Sequence, residues 1–174
     1  MSPKFPLLTI IFILVITTCF AQEKSKKQLK EEQRIEYQNQ IESLIDSKEF
    51  IFKANTASPI GFKPVGLTPN LYYIEFHPDL VVSFMPFYGK AYGNMGFYND
   101  TGLNFEGQPV EFTKSKGKKS YQVKVKVSSE GNAYTLIITV RFNGITSLSI
   151  SSNNRSNIVF DGYLTPAEMP GKTR

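Results

Sequence analysis

YQVKVKVSSEGNAYTLIITVRF, residues 121–142, is the stretch whose reading decides the fold. In its first half Tyr121, Val123, Val125 and Val127 alternate with Gln122, Lys124 and Lys126. In its second half Tyr134, Leu136, Ile138, Val140 and Phe142 alternate with Thr135, Ile137, Thr139 and Arg141. A period of two places each apolar row on one face of a β-strand. The SSEGN between the rows is too short for a parallel crossover, so the two strands are antiparallel neighbours. The Gln and Lys face is wet, and its charges oppose edge pairing with another molecule.

Similar strands flank this pair. Val110 to Ser115 precedes it, and Ser147 to Ser151 and Asn157 to Tyr163 follow, joined by GKK, NGI and SNNRS, whose residues suit tight turns. Within SNNRS, Arg155 is placed to pair with Asp161 across the hairpin. Upstream, FIFKA at 50–54 sets Phe50, Phe52 and Ala54 against Ile51 and Lys53, while NLYYIEF and LVVSF, at 70–76 and 80–84, flank the turn residues His77, Pro78 and Asp79. The expected fold is mainly β (α+β): an N-terminal helix, then a curved antiparallel meander forming either a partly closed barrel or a two-sheet sandwich over 49–166. Closure is not readable from the pattern. The helix spans Gln22 to about Lys48, with Leu29, Tyr37, Ile41, Leu44 and Ile45 at helical spacing. Only its second half has an apolar stripe, fit to cover an apolar face or an open end of the β domain. EKSKKQLKEEQR carries both charge signs at i, i+3 and i, i+4, as a solvated helix or spacer does. Residues 167–174 read as a flexible tail.

The first twenty-one residues stand apart. A basic head, Met1 to Lys4, precedes FPLLTIIFILVITTCF, and Ala21 closes the run, the layout of a secretory signal peptide. The expected destination is the periplasm or the medium, after cleavage near Ala21. The alternatives are a retained anchor and a lipoprotein at Cys19, and membrane contact is expected only with one of those two. Removal takes the only Cys and one Lys with it, leaving 153 residues (174 less 21) and a charge of 19 − 15 = +4. Disulfides, thiolate catalysis and cysteine–zinc sites are thereby excluded from the mature chain. A chain of that length buries roughly 70% of its unfolded surface and needs no staple. The mild basicity, with no basic surface interleaved with aromatics, and the export signal argue against nucleic acid.

One further stretch is unusual. SFMPFYGKAYGNMGFYND, residues 83–100, alternates large rings with glycines, and 84–105 holds Phe84, Phe87, Tyr88, Tyr92, Phe97, Tyr98 and Phe105. Such rings stack on sugars or close over an apolar ligand, with Lys90 and Asn94 supplying polar contacts. The candidate ligand-binding residues are Phe84, Phe87, Tyr88, Lys90, Tyr92, Asn94, Phe97 and Tyr98. The ligand class is a small apolar molecule or a saccharide, or else another envelope component. The plainer reading is stronger: a long connection brings its own apolar mass to cover the barrel end, as a self-packed Ω-loop does.

Catalytic patterns are weak. The single His77 lies in a turn, and no second His exists to form a cluster. Asp79, Asp100, Glu106 and Asp161 are the acids from which a glycosidase pair would have to come, but no motif presents them. The serines of SLSISSNN read as the exposed face of a strand, without a nucleophile elbow. No catalytic residue, metal or cofactor is assigned.

The chain resembles the bacterial family catalogued as domain of unknown function 4251 through FIFKANTASP at 50–59, SFMPFYGKAYG at 83–93 and SLSISSNNRSNIVFDGYL at 147–164. The middle motif is the most specific, with Pro86, an aromatic pair, Gly89, a basic residue and Ala91-Tyr92 in order. Lys90 stands where Arg is more usual, which keeps the charge and loses the bidentate fork. The resemblance implies export, a charged N-terminal helix and a β domain, and no reaction or catalytic residue. The function expected is therefore that of a non-enzymatic binding or structural module of the envelope using the 84–105 loop. The alternative is a hydrolase acting on a cell-wall or dietary polymer through converging carboxylates.

Overall fold

A computed structural model of the protein describes residues 26–89, 102–129 and 131–167. By its internal contacts the chain falls into two units, Met1–Ile35 and Glu36–Arg174. In the first, the described residues open the helix α1 (Lys26–Ser47); they are exposed, and Arg34 pairs with Glu31 at 3.4 Å.

The second unit holds the remainder of α1 and nine strands: β1 (Phe50–Pro59), β2 (Val65–Gly66), β3 (Tyr73–Phe76), β4 (Val81–Phe84), β5 (Phe105–Lys116), β6 (Ser120–Ser129), β7 (Asn132–Arg141), β8 (Thr146–Ser152) and β9 (Ile158–Pro166). From β3 to β9 each strand pairs antiparallel with the next. β1 pairs with β3 on one side and with β9 on the other, so eight strands close into a barrel, and β2 adds a short rung beside the far half of β1. The meander and its turns stand as expected, and of a partly closed barrel and a two-sheet sandwich the barrel is adopted, closed completely by the β1–β9 pairing. Closure also changes the role of the β6 lysines. With β5 and β7 on either side, β6 is no edge, and Lys124 and Lys126 instead pair with Glu111 of β5 at 3.0 and 2.6 Å.

The seam between β1 and β9 carries a bulge between Ala54 and Thr56, opposite Gly162 and Asp161. A Cβ on Gly162 would overlap the carbonyl oxygen of Lys53, so the seam closes only around a residue without a side chain.

Inside, the rows read from the sequence meet. Phe50, Phe52, Ile74, Phe76, Tyr121, Val123, Val125, Leu136, Ile138, Leu148, Ile150 and Phe160 are all buried in one apolar cluster. Phe50 stacks on Phe76 at 4.7 Å, and Phe105 on Tyr134 at 3.9 Å. An eight-stranded barrel is just wide enough for its own side chains, and this cluster occupies it.

The two ends are closed differently. At the end holding the start of β1 and the β5–β6 and β7–β8 turns, α1 inserts Ile41 and Ile45 into the cluster, with Leu44 packed against it. The helix stops there because Lys48 takes a left-handed φ of 57° while the Ser47 hydroxyl donates to the Leu44 carbonyl. At the other end, where β4 finishes and β5 begins, Met85 and Leu103 are, among the described residues of the connection, the ones buried in the cluster. Among the described residues no helix is long and apolar enough to cross a membrane.

Candidate functional site

The loop end comprises the sequence-predicted residues that the structure describes. Phe84 is the last residue of β4, where the LVVSF pattern ends, and Phe105 is the first of β5, so that strand begins five residues before Val110. Phe84 faces outward, 42% exposed, with its ring 6.0 Å from Tyr72 and 6.1 Å from Tyr73. Phe87 is half-buried against the core, and Tyr88 is exposed. Lys90, Tyr92, Asn94, Phe97 and Tyr98 lie outside the described residues.

The stems of this connection are tied together. Leu103 N–H donates to the Met85 carbonyl at 2.7 Å, Pro86 bridges Gly102, and the buried Ser83 hydroxyl donates to the Leu103 carbonyl at 2.6 Å. Arg155, from the β8–β9 turn, donates to the Gly102 carbonyl and lays its guanidinium 5.1 Å from the Phe87 ring centre. The sequence aimed Arg155 at Asp161. The structure sends it across the barrel end instead, where a planar cation both stacks and donates.

At the opposite end, α1 sits on the barrel through a charged network. Glu42 accepts from the Tyr121 hydroxyl at 2.6 Å and lies 3.2 Å from Lys116 and 3.5 Å from Lys114, and Lys114 also pairs with Asp46. The Tyr121 hydroxyl first, then Lys116, holds the Glu42 carboxyl below its ordinary value. Asp46 above all raises Lys114, while the Tyr121 hydroxyl and Glu42 raise Lys116. These ions lie on the face of α1 toward β5 and β6.

The neighbouring face of α1 lines a groove of about 920 Å³. One wall is the helix from Glu36 to Ser47 with Glu49 beyond it, and the other comes from Val140, the β7–β8 turn and the end of β9. Its apolar floor includes Ile41, Leu44, Val140, Leu164 and Pro166. The end near Glu36 is set by Tyr37, whose hydroxyl occupies the space that a Cβ on Gly144 would need; Gly144 has φ 87°. The other end is set where Ala167 N–H donates to the Glu49 carbonyl at 3.3 Å. Such a volume falls in the range of ligand sites. No local motif announced it, because its walls come from segments about a hundred residues apart in the chain, at 36–49 and 140–167.

Carboxylates are not gathered where the sequence reading asked for them. Asp79 lies in the β3–β4 turn, Glu106 is the second residue of β5 at the loop end, and Asp161 is exposed on β9, opposite Ser147 and Thr56; Asp100 is outside the described residues. His77 lies 3.8 Å from Glu75 beside a smaller cleft of about 310 Å³. Among the described residues, no group of three or more His, Cys, Asp or Glu could hold a metal ion.

Comparison with known proteins agrees with this architecture. The family model described as domain of unknown function (DUF4251) matches residues 32–164. A solved structure, that of a DUF4251 family protein from Bacteroides eggerthii DSM 20697, is similar with a TM-score of 0.59 at 14% identity, covering 76% of this chain and 89% of that one. Comparison with curated proteins finds no match.

Proposed function

Because the chain belongs to the DUF4251 family, whose description carries no reaction, we propose that it is a non-enzymatic binding module of the bacterial envelope that recognises its ligand on the outside of a filled barrel. The observation carrying this reading is a contrast of volumes: the interior is occupied by the apolar cluster, while a groove of about 920 Å³ with an apolar floor lies between α1 and β7–β9. A ligand there buries apolar surface on Ile41, Leu44 and Leu164 and meets polar groups of Asn39, Gln40 and Ser43 at the rim. The basic head and apolar run before Ala21 support delivery to the periplasm or beyond.

A second reading, binding through the loop end, is favoured by the exposed rings of Phe84 and Tyr88. Its ligand would be a small apolar molecule, a saccharide or another envelope component. Native mass spectrometry of the protein purified from its own envelope separates the two. Bound mass lost on Ser43→Trp, which fills the groove, and kept when Phe87, Tyr88 and Tyr92 are all Ala supports the groove. The reverse pattern overturns it in favour of the loop.

A further inference from the structure

Resting on that groove reading, we infer that the occupant is an extended basic peptide segment with two cationic side chains bracketing an apolar pair. The acids from Glu36 to Glu49 fall into two sets. Glu42 and Asp46 are neutralised by Lys114 and Lys116. Glu36 and Glu49 line the groove and form no ion pair among the described residues, and no Lys, Arg or His is among the described lining residues. Lys48, the cation next to Glu49 in sequence, is drawn over the Phe112 ring of β5, 5.2 Å from its centre, and is not part of the lining. Among the described residues the groove is therefore an apolar trough with a carboxylate that no cation neutralises at each end. The end at Glu49 also faces the C-terminus of α1, whose last turn has no basic residue and whose dipole adds negative potential.

The spacing points to an extended chain. Glu36 to Ser47 spans eleven helical steps, about 17 Å at 1.5 Å each, with Glu49 two residues further. An extended peptide advances about 3.3 Å per residue and repeats its face every second residue, so cations six residues apart reach across about 20 Å. The two same-face residues between them lie over Ile41, Leu44, Val140 and Leu164. A neutral saccharide has no charge to meet the two carboxylates, and a lipid with a single headgroup meets only one of them.

The test uses the mature full chain and a capped, fluorescent heptapeptide, Lys-Ser-Leu-Ser-Leu-Ser-Lys, read by anisotropy at low salt. Two counterparts carry acetyl-lysine or Glu in place of both Lys. The basic peptide is expected to bind more tightly than the acetylated one by about two- to fivefold for each ion pair, and the acidic one least. Glu36→Gln with Glu49→Gln, two exposed changes, should erase that preference, and Ser43→Trp should abolish binding of every peptide. No binding of the basic peptide, equal binding of basic and acetylated peptides, or an undiminished preference in the double Gln variant overturns the inference. If Ser43→Trp still removes the envelope-derived mass while the peptides show no charge preference, the groove reading stands and the basic segment falls. A mass of two chains that Ser43→Trp reduces to one would place a second copy in the groove instead, and overturn it as well.

Discussion

The two ends of the barrel are closed by opposite chemistry. At the helix end, burial of Ile41 and Ile45 is ringed by ions, with Glu42 and Asp46 held by Lys114, Lys116 and the Tyr121 hydroxyl. At the loop end, Met85 and Leu103 are ringed by bonds to neutral acceptors: Ser83 to the Leu103 carbonyl, Ser129 to the Glu106 carbonyl, Asn154 to Asn132, and Arg155 to the Gly102 carbonyl. A surface held by ion pairs responds to pH and salt more strongly than one held by bonds to neutral acceptors. The lid that carries the groove is thus the one whose seating the solution can tune.

The largest effects should come from the apolar plugs, and they should be alike at both ends. Ile45→Ala and Met85→Ala each remove a fully buried side chain and should each cost about 2–5 kcal/mol in urea unfolding. A marked inequality would show that one end is not part of the cooperative core. Arg155→Ala comes next. It removes the donor to Gly102 and the cover on Phe87, and should cost about 1.5–3 kcal/mol. Hydrogen exchange should rise at 83–89 and 102–105 and stay unchanged along α1.

The pH dependence sharpens the contrast further. The folded pKa of Glu42 lies below its ordinary 4.5, so its contribution is complete above that value and is lost as pH falls through the depressed one. Lys114 and Lys116 are raised above 10.5, so their contributions are complete below 10.5 and are lost as pH rises through the raised values. Protection of α1 should therefore weaken below about pH 4.5, measured by exchange on 36–47, while the stems around Met85 and Leu103 keep theirs. The smallest change is Tyr121→Phe. It should lower the melting temperature slightly and move the Glu42 titration seen by NMR back toward its ordinary value, because the first cause of the depression is gone.

Much of this architecture was legible in the chain. The rows of β6 and β7 and their short turns require antiparallel neighbours, and Ile41, Leu44 and Ile45 at helical spacing mark the buried half of α1. Legibility fails where the partner is distant in sequence. The β1–β9 seam depends on Gly162 meeting the Lys53 carbonyl about a hundred residues away, and no local pattern records such an approach. Phe105, with Asn104 before it and Gly107 two residues on, reads as part of the loop, yet it stacks on Tyr134 and is the first residue of β5. Pro109 and the bulge before Glu111 also hid the first half of that strand. The groove left no trace, since its polar rim reads as ordinary helix surface.

Hydrogen exchange on the protein with and without its envelope-derived ligand tests the central claim most directly. Recognition on the outside of a filled barrel predicts new protection at 36–49, 140–146 and 163–167, with the stems 83–89 and 102–105 unchanged. Protection confined to those stems would contradict it and return recognition to the loop end.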